Sequence, residues 1–113
     1  MPTPDRVDLP QGALELLILR TLNRGAEHGY AIGQRIRERS AEALAVEEGS
    51  LYPALHRMER RGWIDAEWGT SDKGRRAKFY ALTSDGERRL ADASSSWQRM
   101  TRAVGLVLEG GAT

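Results

Sequence analysis

The segment from Glu47 to Trp63, EEGSLYPALHRMERRGW, constrains the fold more than any other part of this sequence. At about 100° per residue, its apolar side chains project to one side of a helix, namely Leu51, Ala54, Leu55 and Met58. The other side carries Pro53, His56, Arg57 and Arg60, with Tyr52 at the border. The pattern predicts a helix that buries one side in a core and presents basic side chains to solvent on the other.

The same segment contains signals for the two ends of this helix. Ser50 can cap its N-terminus, and we expect Pro53 within the first turn, where a missing N–H costs no hydrogen bond. Gly62 suits a C-terminal stop. The proline therefore indicates the start of the helix rather than a break in it.

A β-hairpin is predicted directly after this helix. In WIDAEWG, residues 63–69, Ile64, Ala66 and Trp68 alternate with acidic residues, as in a half-buried strand, and KFYALT, residues 78–83, predicts a second strand. The connecting segment GTSDKGRRAK, residues 69–78, has four basic residues against one acidic residue, a local charge of +3. Trp63 and Trp68 are expected to complete the core, as aromatic residues of such strands usually do.

A long amphipathic helix is predicted over residues 83–109. Thr83 or Ser84 can cap its start, and Ser84 and Glu87 have the spacing of a capping box. Apolar side chains then recur at heptad spacing in two registers, Leu90, Trp97 and Val104 in one and Ala93, Met100 and Val107 in the other. A helix of roughly 25 residues is about 37 Å long and overhangs a small domain. The seam therefore favours contact with a second chain over packing on its own core.

Two shorter helices are predicted before the basic segment. Over residues 9–23, with Pro10 in the first turn, four apolar side chains share one face: Leu14, Leu17, Ile18 and Leu22. Leu16 and Leu19 point elsewhere, which suggests a partner chain, with burial inside the domain as the alternative. The segment GYAIGQRIRERS predicts a second amphipathic helix.

The order helix, helix, helix, two-stranded hairpin, long helix is that of a winged helix-turn-helix, a mainly α, α+β fold. In this fold the third helix enters the DNA major groove, and the hairpin, called the wing, reaches the neighbouring backbone or minor groove. We expect a flexible tail over residues 1–8, a DNA-binding domain over 9–82, a dimerisation helix over 83–109 and a frayed tail over 110–113.

Three sets of residues are the candidate binding positions. The recognition helix offers Ser50, Tyr52, Pro53, His56, Arg57 and Arg60, and the wing offers Lys73, Arg75, Arg76 and Lys78. Basic side chains can donate to guanine acceptors or to phosphates, so the predicted partner is double-stranded DNA. The predicted homodimer interface consists of Leu16, Leu19, Leu90, Ala93, Trp97, Met100 and Val104.

Composition excludes several other classes of protein. A chain of 113 residues with 40% hydrophobic residues suits one domain, and its net charge of +1 means that an anionic partner must meet a local patch. No cysteine is present, and His28 and His56, the only histidines, have no metal-ligand spacing. We therefore expect no metal, no cofactor and no enzymatic activity. The N-terminus resembles no signal peptide and the apolar runs are short, which predicts a cytoplasmic protein without a membrane partner.

The chain resembles the PadR family of bacterial transcriptional regulators. The matching stretches are HGYAI (28–32), EGSLYPALHRME (48–59), the RRGWI that follows, and KFYALTSDGERRL (78–90). A short chain with a single C-terminal helix is similar to the smaller branch of that family. The resemblance implies a homodimer on a near-palindromic operator, usually acting as a repressor, with residues 49–61 as recognition helix and 72–76 as wing tip.

The resemblance also implies an aromatic small-molecule effector in some members, bound at the dimer interface against tryptophan. Trp97 is the residue placed to do this. The other interpretation, that Trp97 fills the dimer core, is favoured because no polar group in the sequence is committed to a ligand. A winged helix used for protein contacts rather than DNA also remains open, although it would leave two basic elements unexplained.

Overall fold

The computed structural model describes residue 9 and residues 12–110. In these residues the elements are α1 (Ala13–Leu22), β1 (Glu27–His28), α2 (Gly29–Arg39), α3 (Glu48–Arg60), β2 (Ile64–Thr70), β3 (Arg76–Leu82) and α4 (Ser84–Leu108). The predicted winged helix-turn-helix with a long C-terminal helix is confirmed. The expected tail over residues 1–8, the placement of Pro10 and residues 111–113 lie outside the described residues.

The wing is an antiparallel hairpin with one strand added. β2 pairs with β3 from Ile64↔Leu82 to Thr70↔Arg76, and β1 pairs with the other edge of β3, which gives the strand order β1-β3-β2. The sequence predicted only the two-stranded hairpin. The third strand has two residues, too few to show an alternating pattern, and its pairing with β3 comes from the tertiary fold.

One apolar core joins the first three helices to the sheet. Its fully buried large side chains are Ile18, Leu19, Ile32, Leu55, Met58 and Ile64. All four apolar residues predicted for the inner side of α3 are buried. Burying a large aliphatic side chain stabilises a fold by roughly 1.5–3 kcal/mol, so this inner side anchors α3 to the domain.

Two residues assigned to the dimer interface belong to this core. Leu19 is 1% exposed and Leu90 is 8% exposed in the single chain. Leu16 is half-buried and packs against the same cluster. The expectation that Leu19 faces a partner chain is therefore wrong, because α1 is a central helix that contacts α2, α3, α4 and β3. Burial inside the domain, the alternative, is what the structure shows.

The start of α3 differs from the prediction. The helix begins at Glu48 after Glu47, without a side-chain cap, so Ser50 is its third residue and not its cap. Pro53 is the sixth residue and lies in the second turn, where it deprives the Gly49 carbonyl of its usual donor. Gly49 is exposed, so water can supply the missing hydrogen bond.

The start of α4 is fixed more tightly. The Thr83 hydroxyl accepts a hydrogen bond from the Gly86 N–H at 3.0 Å, so Thr83 is the cap and the Ser84–Glu87 capping box does not form. Thr83 also donates to the Gly62 carbonyl at 2.6 Å, and its N–H donates to the Trp63 carbonyl at 3.1 Å. These contacts hold the first turn of α4 against the start of β2.

Candidate nucleic-acid interface

The outward side of α3 forms the centre of the candidate interface. Ser50, Tyr52, Pro53, His56, Arg57 and Arg60 are all exposed to solvent. On a helical projection, His56 and Arg60 lie within about 40° of the direction opposite the buried side. Neither makes an ion pair within the described residues. These two side chains are therefore free to donate hydrogen bonds to a ligand in front of the helix.

Arg57 has a different environment from Arg60. Its Nε lies 3.5 Å from Glu15 Oε2, and a terminal nitrogen of Arg61 lies 3.8 Å from Glu15 Oε1. Glu15 belongs to α1, so the structure directs Arg57 to the flank of α3 that faces α1. Sequence reasoning missed Glu15 and Arg61, because no local pattern reports a contact between residues more than 40 positions apart.

The opposite flank of α3 faces the sheet. Lys78 Nζ lies 3.4 Å from Glu59 Oε1, which ties β3 to α3 and partly neutralises this wing lysine. The Tyr52 ring lies against Gly29, where an added Cβ would come within 2.7 Å of a ring carbon. Burial, followed by the nearby Glu48 carboxylate, raises the pKa of the Tyr52 hydroxyl. Tyr52 therefore joins α3 to α2 and keeps a neutral hydroxyl at the edge of the interface.

The wing presents cations of two kinds. Lys73 and Arg75 lie in the exposed turn between β2 and β3, where Gly74 has a φ of 74° that favours glycine. Arg76 lies on β3, with its guanidinium 4.5 Å from the centre of the Trp68 ring. Stacking on an aromatic face restricts an arginine while leaving its donors accessible. Arg76 is therefore the cation of the wing that an aromatic ring orients, whereas Lys73 and Arg75 extend from an exposed turn.

Trp68 does not complete the core. It is 59% exposed, because it lies on β2 beyond the part of the sheet that the helices cover. Trp63 is half-buried against the core, and two guanidinium groups lie near its ring centre, those of Arg61 at 5.1 Å and Arg89 at 4.9 Å. The expectation that both tryptophans complete the core is therefore wrong for Trp68, while Trp63 packs against the core.

A groove of about 690 Å³ separates the start of α2 from the wing. Its walls include Tyr30, Gln34 and Arg35 from α2 and the turn residues Lys73 and Arg75. Tyr30 is exposed and accepts a hydrogen bond from Gln34. The sequence did not predict the α2 side of this groove, because polar residues on a short helix are typical of any solvent-exposed face.

Other kinds of site are not found in the described part of the chain. Residues 12–110 contain no group of acidic and histidine side chains able to hold a metal ion. No helix among them is long and apolar enough to span a membrane.

The fold and this surface define a class of protein, the winged-helix DNA-binding proteins. Residues 18–92 match the model of the transcriptional regulator PadR-like family. The chain belongs to that family, and so it is a DNA-binding transcriptional regulator and not an enzyme.

Individual proteins of known sequence or structure are similar to this chain over most of their length. The chain is 30% identical over 105 residues to an uncharacterised protein of Lysinibacillus sphaericus, covering 93% of this chain and 96% of that one. It is 30% identical to the transcriptional regulator Rv3488 of Mycobacterium tuberculosis, covering 86% of this chain and 87% of the relative. A crystal structure of a PadR family transcription regulator from Clostridium difficile R20291 superimposes with a TM-score of 0.73 at 30% identity, over 86% of this chain and 99% of the other.

Proposed function

We propose that this protein is a homodimeric, sequence-specific repressor that binds a near-palindromic operator. The observation that carries the proposal is the division of α3 into a fully buried apolar side and an exposed side with His56 and Arg60 at its centre. The major groove, about 12 Å wide, admits one helix with donors on its outer side. Arginine reads guanine by donating to its N7 and O6 acceptors, so Arg60 is the proposed base contact.

The wing supplies the second contact in this proposal. Lys73, Arg75 and Arg76 are exposed and make no ion pair within the described residues. Their proposed partners are phosphates, which contribute affinity without reading sequence. Lys78 has the weakest claim among the wing cations, because Glu59 already neutralises part of its charge.

The proposal of a homodimer is based on the second half of α4. Its half-buried and exposed apolar side chains Ala93, Trp97, Met100 and Val104 fall within about 60° on a helical projection. Met100 and Val104 are each 48% exposed in the single chain. A second copy of α4 would cover this stripe and place two recognition helices on one side of the dimer. Trp97 then fills the dimer core, or contacts an aromatic effector there.

A footprint on the DNA upstream of its own gene tests the proposal. We expect protection of an inverted repeat whose half-sites lie about one helical turn apart, roughly 34–36 Å, because a two-fold dimer reads two equivalent sites. The measurement is made at two salt concentrations with non-specific competitor present. Protection that is absent, or that disappears with competitor, would show that the basic surface is only a general anion-binding surface.

A further inference from the structure

The proposed function leaves one ionic contact of α3 unexplained. Glu15 lies in the first turn of α1, outside the recognition helix and the wing. Its two carboxylate oxygens nevertheless face Arg57 of α3 and Arg61, the residue that directly follows α3. Arg60, which lies between Arg57 and Arg61 in the sequence, points away from α1 and has no such partner within the described residues. Arg57 and Arg60, which lie three residues apart on α3, therefore have different surroundings.

Burial indicates which partner holds the other. The Glu15 side chain is 18% exposed, whereas those of Arg57 and Arg61 are 45% and 54% exposed. The carboxylate is the more buried group and sits on a core helix, while both guanidinium groups lie at the surface. Glu15 is therefore the fixed anchor, and the arginines are the groups whose reach it limits.

We infer that Glu15 is a positioning residue that increases discrimination between operator and other DNA by restraining Arg57 and Arg61. This inference rests on the proposed function. Sequence-independent affinity grows with the number of cations that reach phosphates, so a restrained cation that the operator complex does not use weakens only the non-specific binding. Arg60, and neither of the restrained arginines, is the proposed base contact. Specificity is the ratio between operator and non-specific affinity, and it rises when the non-specific affinity falls.

The substitution Glu15→Gln tests the inference because it removes the charge and keeps the shape. Binding is measured by fluorescence anisotropy on two duplexes, one enriched from a randomised library by the wild-type protein and one with its sequence scrambled. Released arginines should tighten binding to the scrambled duplex by about two- to fivefold, the range expected for a single exposed ion pair. The salt dependence on that duplex should steepen by about 0.9 for each cation that gains a phosphate. The ratio of the two affinities should fall.

Two controls separate positioning from a change in net charge. Glu42→Gln removes the same charge and also frees an arginine, Arg37, whose Nε lies 3.8 Å from the Glu42 carboxylate at the end of α2. Its affinity ratio should stay close to that of the wild type. In a background with Arg57→Gln and Arg61→Gln, Glu15→Gln should no longer tighten binding to the scrambled duplex. Thermal unfolding of each variant shows that the fold is kept.

The outcomes distinguish this inference from the proposed function. A wild-type protein that prefers no duplex overturns the proposed function, and the role of Glu15 with it. A wild-type preference that Glu15→Gln leaves unchanged, or changes only as much as Glu42→Gln does, overturns the role of Glu15 alone. The role of Glu15 is supported if Glu15→Gln lowers the affinity ratio in the wild-type background but not in the background that lacks Arg57 and Arg61.

Discussion

Gly86 shows how a single residue fixes the relation between α4 and the winged domain. It is buried in the first turn of α4, and a Cβ built there would lie 2.0 Å from the Trp63 carbonyl oxygen. That oxygen already accepts a hydrogen bond from the Thr83 N–H, so it cannot move away without breaking the contact. The absence of a side chain therefore allows α4 to start directly against β2.

Substitution of Gly86 by Ala should destabilise the protein by about 2–3 kcal/mol, because the added methyl group overpacks a site closed by backbone. In a domain of this size the melting temperature should fall by roughly 10 °C. Thermal unfolding followed by circular dichroism measures the change. Gly49→Ala is the matched control, since no atom lies within 4 Å of a Cβ at that helical glycine. That variant should be unchanged or slightly more stable, and equal melting temperatures for the two would contradict the packing argument.

The hydroxyl of Tyr80 makes the stability of the protein depend on pH. Burial, followed by Glu59 and Tyr52, raises the pKa of its hydroxyl above the ordinary value. A raised pKa in the folded state means that the neutral form is favoured by folding. This contribution is fully present below the pKa of the unfolded chain, about 10, and is lost as the pH rises through the higher folded value.

Stability should therefore decline above about pH 10, and Tyr80→Phe should reduce the decline because it removes the titrating group. Urea unfolding at a series of alkaline pH values gives the free energy of unfolding for both proteins. The exposed Tyr30 supplies the control, and Tyr30→Phe should follow the wild-type curve. Parallel curves for Tyr80→Phe and the wild type would remove Tyr80 as the cause.

At the scale of elements, α3 and the wing carry the cations in different ways. α3 holds its side chains on a rigid helix anchored by the core, and the fold restrains Arg57 through Glu15. The wing extends beyond the core, and only the stacking on Trp68 orients Arg76. The helix is therefore suited to reading bases, and the wing is suited to contacting the backbone.

Replacing Arg75 and Arg76 by Ala should weaken binding to all DNA sequences and reduce the salt slope by about 0.9 for each lost phosphate contact. Titrations of operator and scrambled duplexes at several salt concentrations measure both effects. Arg88→Ala is the control, since Arg88 is exposed on α4 and already pairs with Asp85. An unchanged salt slope would show that the wing does not touch phosphate.

At the scale of the whole molecule, α4 gives the chain an elongated shape. The radius of gyration is 15.8 Å, whereas a compact chain of this length has about 13 Å. The first half of α4 reaches the core through Leu90, and the second half exposes Met100, Val104, Val107 and Leu108. Exposed apolar surface of this kind usually indicates a partner, and the partner that we propose is a second copy of the chain.

A charge on this stripe should separate the proposed dimer. Val104→Asp places a carboxylate in the seam and should shift the sedimentation coefficient toward the monomer at low micromolar concentration, because an unpaired charge is costly to bury. Trp97→Ala should loosen the dimer in the same direction. Ser95→Asp adds the same charge on the opposite side of α4 and should leave sedimentation unchanged. Equal sedimentation of Val104→Asp and wild type would count against the seam.

The sequence determined the features that depend on local periodicity. The two sides of α3, the β2–β3 hairpin and the length of α4 follow from spacings of 3.6 and 2 residues, which report local structure directly. The N-terminal cap of α4 does not follow from the sequence, because Thr83 and Ser84 are both good caps and only the contact of Thr83 with Gly62 decides between them. The basic residues of α3 and the wing could be listed from sequence, but not ranked.

Only the tertiary structure decided which faces are covered and which cations are free. The sequence predicts that Leu19 and Leu90 face a partner chain, but both are buried in the domain, where α1 is the central helix. Arg57 and Arg60 are equivalent in sequence, and they differ because Glu15, far away in the chain, lies beside one of them. Contacts between distant segments depend on how the elements pack in three dimensions, and periodicity within one element carries no information about that packing.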